Sequence, residues 1–440
     1  MILGKTESVC PVCLRVLQAS KRSERDGVWM DKTCPEHGSF SALIWEGDLR
    51  SYLRWAVDNR AQEAPAAAKA PEKGCPYDCG LCREHKTKGC CVLLELTRHC
   101  NLRCPVCFAA AGQPTGTDLS LEQIGAQYDF LMAHGGPFNI QLSGGEPTVR
   151  DDLPEIIRLG REKGFSFFQL NTNGLRLAAE ADYAGQLKAA GLSTVFLQFD
   201  GVTDPVYETL RGRPLLAEKE RAIENCARAG LGIVLVPVIA AGVNEDQVGA
   251  ILRYGLDRMP AVRGVHFQPL SYFGRCALPR PEKPVTIPKM LRLIEEQTDG
   301  LLRAADFGGG GAENPYCSFH ASYLRRADGS LRPLRRQAES GCCCVSSDDS
   351  RQAVAGQWSG GGEEFAADGA LEETSSLDAF LEQARQNTFA VSGMVFQDAW
   401  NLDLARLRRC YICEMDSEYG MVPFCAYNLT DREGRSLYRK

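Results

Sequence analysis

Twenty cysteines punctuate this 440-residue chain, and most of them fall in groups. The group best placed for chemistry is Cys100, Cys104 and Cys107, which precedes Phe108. It follows a short apolar run, residues 92–96, that reads as a buried strand. Three thiolates in one tight loop suit an iron–sulfur cubane. Such clusters usually take four cysteines, so a three-cysteine loop leaves one iron open to a non-protein ligand. Taken alone, the triplet is also compatible with a structural zinc site.

A second motif, Ser143-Gly144-Gly145-Glu146-Pro147, closes the next expected strand. Its two glycines let the backbone approach a ligand closely, although an ordinary turn has the same composition. Asn171-Thr172-Asn173-Gly174 follows the third strand, Gln198-Phe199-Asp200-Gly201 the fourth and Val236-Pro237 the fifth. These polar groups share the C-terminal ends of successive strands, where parallel barrels keep their active sites. Gly144, Gly145, Glu146, Pro147, Asn173 and Asp200 are therefore the candidate cofactor-binding residues. Asn-Gly and Asp-Gly are also common turn formers, so Asn173 and Asp200 are site-lining candidates only.

The other cysteines suggest further metals. Cys10, Cys13, Cys34 and His37 form a two-plus-two set that can straddle one zinc or iron ion in a zinc-ribbon-like or rubredoxin-like knuckle. Cys75, Cys79 and Cys82 repeat the spacing of Cys100, Cys104 and Cys107 and read as an auxiliary [4Fe-4S] site, with Cys90, Cys91 or a residue far away in sequence as the fourth ligand. Cys410, Cys413 and Cys425 read as a second auxiliary cluster, with a structural zinc site as the alternative and Cys317 as the candidate fourth ligand. Cys342, Cys343 and Cys344 are too cramped for all three to bind one cluster; they read as a redox-active thiol pair, substrate-facing groups or an inert loop.

These loops need a scaffold. Helical stretches at 120–134, 151–163, 179–190, 217–229 and 245–258 alternate with strands at 138–142, 166–170, 194–199, 232–239 and 263–268. Six strands with intervening helices predict an α/β fold with a parallel sheet and right-handed crossovers, either open or partly closed. The expected organisation is an N-terminal metal knuckle at 1–60, an Ala/Pro-rich linker at 61–73, an auxiliary cysteine group at 74–91 and the barrel at 92–285. A loop-rich substrate-side region at 286–400 and a C-terminal auxiliary cysteine group at 401–440 complete it.

A formal charge of −6 without a basic stripe argues against a nucleic-acid partner. No apolar run is long enough to cross a bilayer and the N-terminus lacks a signal-peptide layout, so a cytoplasmic location is expected. Thiols stay reduced in that compartment, which favours metal ligation over disulfides.

The cysteine triplet with its following aromatic, together with the Gly-Gly-Glu-Pro segment, resembles the radical S-adenosylmethionine (SAM) superfamily. That resemblance implies a partial (β/α)6 barrel with small cysteine-rich N-terminal and C-terminal extensions. It also implies a [4Fe-4S] cluster on Cys100, Cys104 and Cys107, with SAM chelated to the open iron and its amino group held at residues 143–147. Cleavage of SAM to a 5′-deoxyadenosyl radical would follow, fed by an external electron donor such as ferredoxin or flavodoxin. The Cys34–Gly38 knuckle, the Cys75–Cys82 group, residues 141–153 and Pro423-Phe424-Cys425 look like the branch containing tetraether lipid synthase and a pterin-modifying methyltransferase. Methylation or carbon–carbon joining on a small-molecule or lipid-like substrate is what that likeness implies. The Cys342–Cys344 run is similar to a subgroup of radical SAM (seleno)proteins. The competing expectation is a non-catalytic iron–sulfur or zinc scaffold or redox sensor, which has no use for a SAM-holding turn at a strand end.

Overall fold

The computed structural model describes residues 1–56, 70–112, 117–310, 313–334, 346–359, 384 and 386–439. The linker expected at 61–73 falls largely outside them. The first four strands, β1 (Ile2–Val9), β2 (Val16–Ser23), β3 (Gly27–Cys34) and β4 (Gly38–Glu46), form an antiparallel sheet in sequential order. Its β1–β2 and β3–β4 turns carry the two halves of the Cys/His set. The buried Lys32 donates to Ser8 Oγ at 2.9 Å and to the Ala399 carbonyl at 2.7 Å, tying this sheet to the C-terminal part of the chain. Helix α1 (Leu49–Trp55) follows.

The main sheet begins with β5 (Cys91–Thr97) and, past the two-residue β6 (Val106–Cys107), continues through β7 (Asn139–Gly144), β8 (Phe168–Thr172) and β9 (Thr194–Gln198). Strands β10 (Gly232–Val236), β11 (Val238–Ile239) and β12 (Val262–Pro269) follow. Neighbours β5, β7, β8, β9, β10 and β12 pair in parallel, which is the expected six-strand core. Helices α2 (Leu121–Ala133), α3 (Leu153–Glu162), α4 (Leu175–Ala179), α5 (Tyr183–Ala190), α6 (Asp204–Arg211), α7 (Leu216–Arg228) and α8 (Val248–Leu256) connect them.

Helix α2 shows why such segments fold where they do. Ser120 and Gln123 form a reciprocal capping box, and Ile124, Tyr128 and Leu131 recur on one buried face. That face packs in the same core cluster as Val92, Ile140 and Phe168.

The sheet extends past the expected core at both ends. Beyond β13 (Arg275–Cys276) and α9 (Ile287–Gln297), β14 (Ser318–Arg325) pairs antiparallel with β15 (Leu331–Pro333) and β16 (Thr388–Met394). Strand β16 in turn joins β12 in parallel. At the other end β17 (Ile412–Asp416) pairs in parallel with β5 and antiparallel with β18 (Gly420–Pro423). The region expected to be loop-rich, 286–400, thus contributes two full strands and helix α10 (Ser347–Trp358). Among the described residues the sheet ends at β15 and β18.

Candidate functional site

Strand β5 delivers the cysteine loop to the C-terminal rim of the sheet, and the chain around it is fixed by bonds from every side. His99 N–H donates to Thr97 Oγ1 at 2.9 Å and Leu102 N–H to Cys100 Sγ at 3.4 Å. Strand β6 pairs with β13, placing Arg275 beside the loop. Its guanidinium donates to the Cys104 and Ala111 carbonyls at 2.8 Å each. Arg211 donates to the Val106 carbonyl at 3.0 Å. Cys100, Cys104 and Cys107 share one small buried cluster with Leu102, Tyr207 and Leu215. Burial pushes the Cys100 thiol up to about 12, and the nearby Glu146, Cys104 and Cys107 add to the effect. Converging thiols of this kind, Cys104 buried and Cys100 and Cys107 partly so, become thiolates when a cation binds them, which is the donor set an iron cluster requires.

The Gly-Gly-Glu-Pro segment is laced to this loop by backbone. Gly145 N–H donates to the Thr97 carbonyl at 2.7 Å and Glu146 N–H to the His99 carbonyl at 2.9 Å. The approach demands glycine: a Cβ on Gly144 would lie 2.3 Å from Thr97 O, and one on Gly145 would lie 2.2 Å from His99 O. Glu146 is buried, and its carboxylate accepts from Thr148 N, Thr148 Oγ1, Thr172 Oγ1 and Asn173 N at 2.7–3.1 Å. Glu146 thereby locks the end of β7 to the end of β8, with Pro147 starting the single helical turn behind it.

Asn173 lines the cavity, donating to Asn101 Oδ1 at 2.7 Å across to the cysteine loop. Asp200 does not line it. That side chain is fully buried, held bidentately by Arg211 at 2.7 Å on each oxygen, and accepts from Val238 N at 3.0 Å. Its contact with the site runs through Arg211, which does line the cavity. Three side chains outside the sequence expectation matter here. Arg211 ends the unexpected helix α6, whose Gly212 cap at φ +87° is its local signal. Arg275 reaches the loop only through the β6–β13 pairing. Lys219, also fully buried, donates to the Asn173 carbonyl at 2.5 Å and to Gln198 Oε1 at 3.2 Å.

Cys100, Cys104, Cys107, Ser143, Gly144, Gly145, Glu146 and Asn173 all border one cavity of about 1100 Å³. A pocket for one drug-sized ligand is roughly 300–1,000 Å³. This one therefore has room for more than one small molecule, and its lining runs from the cysteine loop to Trp358 on α10.

The remaining cysteines sort into three places. The ligand atoms of Cys10, Cys13, Cys34 and His37 all lie within 4.8 Å of one another, a sulfur-and-nitrogen set that suits a tetrahedral ion. Cys79 and Cys82 border a small cavity together with Cys413; Cys75 is next to Cys79, which raises the Cys79 thiol ahead of burial. Burial and then Cys410 push the Cys425 thiol well above its usual range, with Cys317 contributing further. Cys317 also accepts from Arg406 at 3.2 Å. Cys410 thus lies within electrostatic reach of both Cys425 and Cys413, with Cys317 beside Cys410 and Cys425, while Cys413 also borders the small cavity of Cys79 and Cys82. Cys90 and Cys91 border the large cavity. Cys342, Cys343 and Cys344 lie outside the described residues.

A model of the radical SAM superfamily matches residues 94–255, and one for the HMPTM N-terminal zinc ribbon domain matches residues 2–46. The chain is 33% identical to the 7,8-dihydro-6-hydroxymethylpterin dimethyltransferase of Methanocaldococcus jannaschii, over 98% of this chain and 94% of that protein. It is 33% identical to the Fe-coproporphyrin III synthase of Methanosarcina barkeri over 39% of this chain and 45% of that protein. The solved structure of Streptococcus suis SuiB bound to S-adenosylmethionine aligns at a TM-score of 0.40 and 16% identity, covering 49% of this chain and 48% of that one. No helix among the described residues is long and apolar enough to cross a membrane. The end-to-end relative and the matched barrel agree with the cysteine loop and its glycine-rich partner, and the chain belongs to the radical SAM superfamily of enzymes.

Proposed function

We propose that this enzyme methylates a carbon of a pterin-like ring in the cavity between the cysteine loop and α10. The observation that carries the reading is the convergence of Cys100, Cys104 and Cys107 with Ser143–Glu146 on one large cavity, supported by the end-to-end likeness to a pterin dimethyltransferase. When bound, a [4Fe-4S] cluster with SAM supplies one-electron cleavage of a carbon–sulfur bond and so a carbon radical.

The chain's own residues do the positioning. The three thiols would hold the cluster, and the backbone of Gly144, Gly145, Glu146 and Pro147 with Asn173 would hold SAM. Arg211 and Arg275 brace the loop through its carbonyls and add positive charge beside the thiols. Asp200 acts through Arg211 as a positioning residue. Cys10, Cys13, Cys34 and His37 would hold zinc. Cys75, Cys79 and Cys82 with Cys413, and Cys317 with Cys410 and Cys425, would hold auxiliary clusters that receive electrons from an external donor. Reconstituted protein given SAM, a reductant, a one-carbon donor and 6-hydroxymethyl-7,8-dihydropterin should yield a pterin heavier by one or two methyl groups in mass spectrometry. An unchanged pterin alongside turnover of SAM would refute the assignment of the acceptor.

A further inference from the structure

The inner face of the barrel carries polar residues at every second strand position below the Gly-Gly-Glu-Pro rim. On β7, Gln141 sits between the core residues Ile140 and Leu142; on β8, Gln169 and Asn171 flank the core residue Leu170. The alternation of a strand sends these amides into the cavity while their neighbours pack under the helices. All three border the large cavity, and so does His266 on β12.

The amides are wired in series. Gln169 Nε2 donates to Asn171 Oδ1 at 2.8 Å, Asn171 Nδ2 to Gln141 Oε1 at 3.1 Å, and Gln141 Nε2 to Cys91 Sγ at 2.9 Å. Each amide has two N–H groups and one carbonyl. The second N–H of each, and the carbonyl of Gln169, have no protein partner among the described residues. His266 uses Nδ1 with Ser392 Oγ at 2.8 Å, and its ring lies 5.8 Å from that of Phe196. Burial holds this imidazole neutral, pushing it down to about 4.

We propose that Gln141, Asn171, Gln169 and His266 form the surface that reads the substrate, and that this substrate is an uncharged, planar heteroaromatic ring with donors and acceptors along one edge. The proposal rests on the radical reading of the same cavity and adds the residues that select the ring. The ladder carries no charged side chain, so it offers a phosphate no counter-charge of its own. An alkyl chain would leave its free N–H groups without partners, the costly state for a buried donor. A lactam–guanidine edge of the pterin kind supplies carbonyl and ring-nitrogen acceptors to those N–H groups, and a donor to the Gln169 carbonyl. A site built to hydrogen-bond its substrate also rejects shape-matched analogues that lack the polar edge.

Isothermal titration tests this on the full-length, reconstituted, SAM-loaded protein. The probe is 6-hydroxymethylpterin and the shape control is 2-naphthalenemethanol, which has the same bicyclic outline without ring nitrogens. The expected result is pterin binding at least about tenfold tighter than the control, with Asn171→Leu and Gln141→Leu each losing roughly tenfold for the pterin alone. Gln169→Leu, at the end of the series, guards against misfolding of the central variants, and thermal melts accompany all three. Equal binding of both probes by the wild type, or unchanged pterin binding by folded variants, overturns the proposal. Formation of 5′-deoxyadenosine is scored separately on the same protein, so a failed pterin preference with intact SAM cleavage removes the reading surface and leaves the radical chemistry standing.

Discussion

At the scale of single residues, what the sequence displays is chemistry, and what it hides is support. Cys100, Cys104 and Cys107 are legible because ligand spacing is local and a loop of eight residues contains all of it. Asp200 shows the limit. Its position at a strand end suggested a cavity-lining group, yet the carboxylate faces Arg211, eleven residues later on a helix that local periodicity did not mark. Asp200→Ala leaves the Arg211 guanidinium buried and unpaired. Breaking a buried pair in this way costs about 3–5 kcal/mol, which denaturant unfolding should show as a lower midpoint. Reduced iron retention should accompany it, because Arg211 holds the Val106 carbonyl in the cysteine loop.

Among the elements, alternating patterns of helix and strand made β5, β7, β8, β9, β10 and β12 readable, since each buries one face against a neighbouring helix. Strands β14 and β16 were not readable. Strand β16, Thr388–Met394, is rich in small residues, and its partner β12 lies more than a hundred residues earlier, so no local periodicity announces the pairing. That pairing depends on Gly264, where a Cβ would come within 2.0 Å of Ala390 O and 2.9 Å of the Trp358 ring. Gly264→Ala should therefore part β12 from β16, with an overpacking cost of about 1–3 kcal/mol. A lower melting temperature and loss of amide protection in β16 would check it.

For the whole molecule, two antiparallel additions and a parallel barrel converge on one cavity, and the stability of the assembly carries the signature of a group buried there. His266 titrates at about 4 in the folded chain against 6.5 in the ordinary case. Between those values the unfolded chain binds a proton that the folded one does not. Stability therefore rises with pH through that window, by about 1.4 kcal/mol per pH unit for this one group, and levels above it. The difference in unfolding free energy between wild type and His266→Gln, measured from pH 4 to 7, should show that slope; a difference independent of pH would place the imidazole in contact with solvent.

The central claim is that the loop of Cys100, Cys104 and Cys107 generates a carbon radical from SAM. The most direct measurement is quantitation of 5′-deoxyadenosine after anaerobic reconstitution with iron and sulfide and reduction in excess SAM, with Cys104→Ala alongside. The account predicts formation by the wild type and none by the variant, whereas fully loaded, reduced wild type that forms no 5′-deoxyadenosine would contradict it and favour a metal-binding scaffold.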